Sequence, residues 1–289
     1  MTGTIVKGIG GFYYVDTERG IVQCRARGKM RREKILPLIG DNVTITIASE
    51  SPLEGAIDEI LPRKNSLIRP PVSNIDVVVI VIATASPAPD FFVIDKLIAS
   101  AEKVETDIVI AVNKTDLSAA DDIIKAYKPA GYTVIPLSAA NGSGIDSLKR
   151  AISGRTAAFA GNSGVGKSSI LNYFGFELET GEVSKIERGR HTTRHVELMA
   201  GENGGFVIDT PGFSLLELTS VTAEDLDCLF AEFEQYKNQC SFKNCRHFNV
   251  SKTECAVVKA VMDGNIPQSR YDSYCQLYDK LKDVRAWDL

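Results

Sequence analysis

The segment Gly161-Asn-Ser-Gly-Val-Gly-Lys167-Ser168 constrains this chain more than any other. It comes after the apolar run Thr156–Ala160 and precedes a helical pattern over 168–174, so it reads as G-x-x-x-x-G-K-[ST] between a strand and a helix. That setting calls for an α/β domain, because a strand that feeds a helix returns to a parallel neighbour by a right-handed crossover. The glycines let the backbone of Gly161, Asn162, Ser163, Gly164, Val165 and Gly166 wrap a phosphate, with its N–H groups at the positive end of the helix dipole. Lys167 would neutralise the β- and γ-phosphates and the Ser168 hydroxyl would ligate Mg²⁺, with Ser169 beside it in the binding set. An ordinary glycine turn is the competing reading, and the strand–helix context weighs against it.

The surrounding sequence agrees. Apolar runs without alternation occur at Val77–Ala83, 108–112, 133–137, 157–160 and 206–208, as expected of parallel strands covered on both faces. Helical patterns at 90–103, Asp121–Tyr127 and Ile145–Ile152 alternate with them.

A phosphate loop does not choose a base. Asn113-Lys114-Thr115-Asp116, directly after the run 108–112, does. Guanine offers two adjacent donors, N1–H and the N2 amino group, which one carboxylate accepts together. Adenine lacks that pair and would leave Asp116 buried and unpaired. Asn113 and the Lys114 stem would brace the loop and cover the base. Ser138-Ala139, after 134–137, resembles the short loop whose backbone contacts the guanine oxygen. Asp209-Thr-Pro-Gly212 fits D-x-x-G, in which the Asp serves the Mg²⁺ and the Gly amide meets the γ-phosphate. Between them Arg188-Gly-Arg-His-Thr192-Thr193 offers hydroxyls for Mg²⁺, and the choice between Thr192 and Thr193 stays open.

The motif order is informative. Ordinary GTPases run P-loop, threonine loop, D-x-x-G, N-K-x-D, S-A; here N-K-x-D and S-A precede the P-loop. A circular permutation keeps one site if the strands keep their places. It also makes D-x-x-G the last part of the domain, so a γ-phosphate would act on the C-terminal region attached to it.

That C-terminal region lacks strand signals. Thr222-Ala-Glu-Asp opens a predicted helix with a capping box, with Leu226, Leu229, Phe230 and Phe233 on one face, and 256–262 and 271–287 are also helical in pattern. Cys240-x4-Cys245-x-His247-x7-Cys255 fits a closed tetrahedral site for one structural zinc ion. With six cysteines in 289 residues and no secretory leader pattern, this cluster points to a metal rather than to disulfides; Cys24, Cys228 and Cys275 read as ordinary thiols. Ahead of the α/β part, residues 4–7, 11–15, 21–25 and 42–47 read as strands of a small all-β barrel without helix. The Pro-rich stretch 69–74 reads as a linker. The net charge of −4 argues against a general polyanion binder, yet Arg25, Arg27, Lys29, Arg31, Arg32 and Lys34 crowd into ten residues. With Phe12, Tyr13 and Tyr14 nearby they suit RNA as well as they suit a solvated loop.

These motifs together resemble the circularly permuted, ribosome small-subunit-dependent GTPases of the RsgA type, across the whole chain. Arg188-Gly-Arg-His-Thr-Thr-Arg and Cys-x4-Cys-x-His are close to that family's pattern, while the interval from His247 to Cys255 is about two residues longer. The resemblance implies a multidomain α/β protein: an OB-type β-barrel over 1–66, a circularly permuted P-loop GTPase domain over 67–218 and a helical zinc-binding domain over 219–289. It implies a GTPase that binds GTP and GDP with Mg²⁺, acts with the small ribosomal subunit and its rRNA in late subunit maturation, and is stimulated by it.

Hydrolysis needs a positioned water, and many GTPases use a Gln just after D-x-x-G. Phe213 occupies that place, so slow intrinsic turnover is expected, with His191 the nearest candidate within the chain. The longest apolar run is far short of the roughly 20 residues of a membrane span. A cytoplasmic monomer with no membrane partner is expected. Two other readings remain compatible with the sequence: an ATP-using P-loop transferase or kinase, and a non-enzymatic RNA-binding module with a vestigial nucleotide site.

Overall fold

The first five strands close on themselves. In the computed structural model β1 (Thr2–Ile9), β2 (Phe12–Thr17) and β3 (Gly20–Ala26) form an antiparallel meander, and β4 (Asn42–Glu50) and β5 (Leu53–Ile60) form a hairpin. β3 pairs β5 in parallel and β1 pairs β4, giving the closed order β1-β2-β3-β5-β4. Ile5, Val15, Val22, Val43, Ile45 and Ile57 fill the interior. The structure describes residues 1–32, 35–67, 71–178, 197–201, 204–209 and 221–283.

The barrel and its exit correct three sequence expectations. β5 is not among the four predicted strands, because Glu54, Gly55, Asp58 and Glu59 are poor strand formers; closure requires it, since β3 and β4 would otherwise expose bare edges. The region expected to lack helix contains α1 (Gly28–Arg32), whose Met30 is buried with the barrel interior. It places Lys29 of the basic run on a helix, where a solvated loop is one of the two readings. The stretch read as a linker is pinned from residue 71 onward: β6 (Ser66–Leu67) pairs β7 (Val72–Ser73). Ser73 Oγ donates to Asp41 Oδ1 at 2.6 Å, and Asn74 Nδ2 donates to Gly40 O at 2.8 Å. Asp41 is fully buried and also accepts from Arg63 Nε and Leu38 N, both at 2.7 Å, so the barrel and the next strand share one satisfied carboxylate.

The α/β core comprises β8 (Val77–Ala83), α2 (Phe91–Lys103), β9 (Asp107–Asn113), α3 (Asp121–Tyr127), β10 (Thr133–Pro136), α4 (Ile145–Ile152), β11 (Thr156–Ala160), α5 (Lys167–Asn172), β12 (Glu197–Ala200) and β13 (Phe206–Asp209). Strand order is β10-β9-β8-β11-β13-β12, parallel except for β12, which the sequence does not predict. Every residue of β8 is buried. Val78, Ile80 and Ile82 face α2, while Val77, Val79 and Val81 face α4 and α5. Each such side chain contributes about 1.5–3 kcal/mol, which explains a strand without polar alternation. β12 also pairs β1 at Lys7↔Glu197, where the two side chains form an ion pair at 2.8 Å, so barrel and core form one continuous sheet.

Beyond residue 220 the expected helix is not continuous. It is two 3-10 turns, Leu226–Leu229 and Ala231–Phe233, and then α6 (Glu234–Lys237). Phe230 is extended (φ −115°, ψ 90°), which lets Leu226, Leu229, Phe230 and Phe233 all bury from a bent path. Thr222 Oγ1 still donates to Asp225 Oδ2, at 2.9 Å. α7 (Ala256–Met262) matches expectation; α8 (Gln268–Leu281) starts three residues before the predicted 271–287 helix and gives way to a turn at 282–283, with 284–287 outside the described residues.

α8 docks on α2 through Arg270, which is fully buried. Its Nη1 donates to Asp95 Oδ1 at 2.6 Å, and Nε and Nη2 donate to Glu232 at 2.6 and 3.0 Å. Burial alone would lower the pKa of Arg270. Asp95 and Glu232 outweigh it and hold the guanidinium well above its ordinary value. Burial also raises Asp95, against the pull of Arg270.

Candidate nucleotide and metal sites

Because β8, β9, β10, β11 and β13 are parallel, the loops at their carboxyl ends gather on one rim, whatever their order in the chain. The P-loop leaves β11, N-K-x-D leaves β9 and S-A leaves β10, while Asp209, the first residue of D-x-x-G, ends β13.

Asn113, at the end of β9, ties three of these loops together. Its Nδ2 donates to Val165 O of the P-loop at 2.8 Å, and its Oδ1 accepts from Ala139 N at 2.9 Å. Lys114 has φ +65°, a left-handed backbone that costs a non-glycine residue energy and is held here by its surroundings. Thr84 Oγ1 donates to Lys114 O at 2.7 Å. Lys114 Nζ donates to Gly164 O at 2.7 Å and to Ser86 O. Thr115 Oγ1 donates to Leu137 O at 2.9 Å, which fixes the turn and aims Asp116 at the S-A loop. There the buried Ser138 donates through Oγ to Asp116 Oδ1, leaving the other carboxylate oxygen free of that bond. Thr84 and Ser86 are site residues that sequence reasoning misses. Their only signal is their position just after β8 on the same rim.

In the P-loop, Gly161 (φ +141°) and Gly166 (φ +94°) need the freedom of glycine; a Cβ on Gly166 would collide with Asn113 Nδ2. Lys167 Nζ donates to Gly161 O at 2.6 Å and Asn162 O at 2.8 Å, so its ammonium lies over the loop. Ser168 and Ser169 lie in the first turn of α5, after exposed Ser163 and Gly164. Asp209 ends β13 beside Glu197. The Asp209 side chain and Gly212, Phe213, His191, Thr192 and Thr193 lie outside the described residues.

The donor atoms of Cys240, Cys245, His247 and Cys255 lie within 4.8 Å of one another. Cys240 Sγ and Cys255 Sγ are 3.8 Å apart, and His247 Nδ1 is 3.6 and 3.3 Å from them. A tetrahedral ion bonded to sulfur at about 2.3 Å and nitrogen at about 2.05 Å would set its S–S edges near 3.8 Å and its N–S edges near 3.6 Å. The donor set therefore fits such an ion, and the longer His247–Cys255 interval does not carry Cys255 out of reach. Burial pushes the Cys255 thiol up to about 12 and raises Cys245, so holding these sulfurs as thiolates requires a cation. Cys24 is buried, Cys228 exposed and Cys275 half-buried, all as free thiols.

The chain matches the RsgA GTPase family over residues 60–219 and the RsgA N-terminal domain over 2–57. A 50S ribosome-binding GTPase family matches 156–285, starting at the strand that enters the P-loop. The small ribosomal subunit biogenesis GTPase RsgA of Ruminiclostridium cellulolyticum is 45% identical over 291 residues, covering 98% of this chain and 94% of that protein. The protein of the same name from Agathobacter rectalis is 43% identical, covering 99% and 100%. Among solved structures, YjeQ from Thermotoga maritima superposes with a TM-score of 0.84 at 35% identity, covering 98% of this chain and 99% of that one. YloQ, described as a circularly permuted GTPase, superposes with a TM-score of 0.81 at 35% identity, covering 98% and 96%.

Proposed function

The chain belongs to the RsgA family of GTPases, and on that premise we propose that it hydrolyses GTP to GDP and phosphate in the biogenesis of the small ribosomal subunit. The observation that carries this reading is Asn113, which joins the base-recognising loop to the P-loop through two hydrogen bonds. One bound nucleotide would then meet Asp116 at its base and Lys167 at its phosphates, although the two lie far apart in sequence. An ATP-using transferase has no use for a carboxylate aimed at guanine's paired donors, and the matched relatives are GTPases.

In this reading the roles are divided by atom. Asp116 accepts from the guanine N1–H and N2 amino group, Lys114 covers the base, and Ser138 and Ala139 line its oxygen edge. Backbone N–H groups of 161–166 cradle the phosphates, Lys167 offsets their charge, and Ser168 ligates Mg²⁺ with Ser169 adjacent. Asp209, one of Thr192 and Thr193, and the Gly212 amide complete the Mg²⁺ and γ-phosphate contacts. Phe213 can neither orient nor deprotonate water, so turnover is slow until the small subunit stimulates it; His191 is the candidate to position the water.

The Cys240, Cys245, His247 and Cys255 set holds one structural zinc ion, since a closed thiolate-rich tetrahedron suits zinc and leaves no open position for catalysis. The barrel, with Arg25 stacked 4.3 Å over Phe12, meets rRNA through phosphate contacts and stacking. The three units are 1–66, 67–218 and 219–289, and the protein acts as a cytoplasmic monomer. Among the described residues, no helix is long and apolar enough to cross a membrane.

The test is GTP hydrolysis by the purified chain with and without small subunits, beside Lys167→Ala. Slow turnover that rises with subunits and vanishes in the variant supports the reading. A free-chain rate equal to the stimulated one removes the subunit dependence, and hydrolysis that survives Lys167→Ala removes the site.

A further inference from the structure

His247 presents its two ring nitrogens to different surroundings. Nδ1 faces the sulfurs of Cys240 and Cys255 at 3.6 and 3.3 Å. Nε2 lies on the other edge of the ring, is buried, and has no hydrogen-bond partner among the described residues. The atom facing it is Oδ2 of Asp227, at 3.8 Å. The ring cannot turn to exchange these roles freely: its side chain is 1% exposed, Phe233 packs against it at a centroid distance of 5.9 Å, and Tyr271 OH donates to the His247 carbonyl at 2.7 Å.

We propose that Asp227 is the positioning residue of the metal centre: Nδ1 of His247 binds the ion, and Nε2–H donates to the Asp227 carboxylate. This rests on the proposed zinc site and adds a residue that the cysteine–histidine spacing does not contain. A ligating imidazole is neutral, so once Nδ1 gives its lone pair to the metal, Nε2 must carry the proton. A buried N–H without an acceptor is unfavourable, and Asp227 is the acceptor the fold brings to it. The carboxylate is itself held. It sits on the 3-10 turn Leu226–Leu229, whose two leucines are buried, and Cys228 Sγ approaches its other oxygen, Oδ1, at 3.7 Å.

Electrostatics is the main objection. Three thiolates and a divalent ion already sum to one negative charge, and a carboxylate adds another. Lys237 offsets this: its Nζ lies 3.4 Å from Cys228 Sγ, next to Asp227 in the chain, and pairs with Glu234 at 2.6 Å on the solvent side. The N–H···O⁻ bond also makes the imidazole a stronger donor to the metal, which the metal's own charge favours. The closing movement is small, from 3.8 Å to the usual hydrogen-bond length of about 2.9 Å.

The experiment uses the full chain, ¹⁵N-labelled at histidine and loaded with one equivalent of zinc. The chain has three histidines, His191, His195 and His247, so single His191→Gln and His195→Gln variants assign the ring signals. The expected spectrum has one ring with a metal-shifted Nδ1 and a slowly exchanging Nε2–H. Asp227→Ala is expected to make that proton exchange rapidly and to weaken zinc binding about 10- to 100-fold in competition with a chromophoric chelator. Asp227→Asn keeps an acceptor and the shape of the side chain, so it is expected to lose less, and it serves if the alanine variant does not fold. Glu224→Ala removes an exposed carboxylate three residues away and is expected to bind zinc as the parent does. Metal on Nε2, unchanged affinity in both Asp227 variants, or an equal loss in Glu224→Ala overturns the role of Asp227 alone. A parent chain that takes up no zinc overturns the metal site beneath it.

Discussion

Replacing Arg270 by Met should be among the most damaging single changes in the C-terminal region. The guanidinium and Asp95 have no exposed side-chain surface, and Glu232 has 2%. The substitution removes hydrogen bonds of 2.6, 2.6 and 3.0 Å and leaves two carboxylates buried without a cation. Breaking a buried pair from one side costs about 3–5 kcal/mol, far more than the pair is worth against an apolar substitute. The corresponding shift is about two to four orders of magnitude in the folded ratio. Arg270→Met combined with Asp95→Asn and Glu232→Gln should recover most of the loss, because the neutral amides carry no stranded charge. Arg270→Lys should fall between, since an ammonium cannot hold the two-bond fork on Glu232. The assay is urea unfolding by circular dichroism at pH 7.5 for the four proteins, with hydrogen exchange of α2 and α8 to locate the loss. A cost below about 1 kcal/mol for Arg270→Met, or a triple variant no better than the single, would refute the argument.

Three more outcomes are expected. Gly166→Ala forces a side chain into φ +94° and displaces Asn113 from Val165 O, a loss of about 3 kcal/mol and about 100-fold in GDP affinity; fluorescent-nucleotide titration checks it, and binding within about threefold of the parent contradicts it. Asp116→Asn should lower GTP affinity by roughly 10- to 100-fold while raising that for XTP, read by competition binding. Cys24 is buried in the barrel, and burial, with Asp58 adding, pushes its thiol up to about 11 from an ordinary value of 9.0. A raised folded pKa means its stabilisation is complete below pH 9 and is lost as pH climbs from 9 through 11, by up to about 2–3 kcal/mol. Cys24→Val should therefore show a flatter stability profile between pH 9 and 11, and an unchanged slope speaks against the assignment.

How much of the molecule is legible in one dimension depends on the range of the forces involved. The core strands and helices are visible because burial on both faces writes continuous apolar runs, as in Val77–Ala83, and because caps such as Asp90, which accepts from Val93 N, are local. β5 and β12 are not, since Glu54 and Gly55 complete the barrel by pairing with Gln23 and Cys24, and Glu197 pairs with Lys7, all distant in the chain. The helix expected after Thr222 fails for a related reason: its apolar spacing is right, but tertiary packing buries those residues from two 3-10 turns and an extended Phe230.

Motifs that work through consecutive residues, such as the phosphate loop, Asn113 to Asp116 and the cysteine–histidine spacing, carry their chemistry in the order of the chain, so sequence alone determined the chemistry proposed for them. Which atoms meet was decided only in three dimensions. The bond from Asn113 to Val165, the meeting of Arg270 with Asp95 across 175 positions and the approach of Asp227 to His247 depend on separate segments converging. Hydrogen bonds and buried charges act over a few ångströms, and only the folded chain brings such distant residues that close.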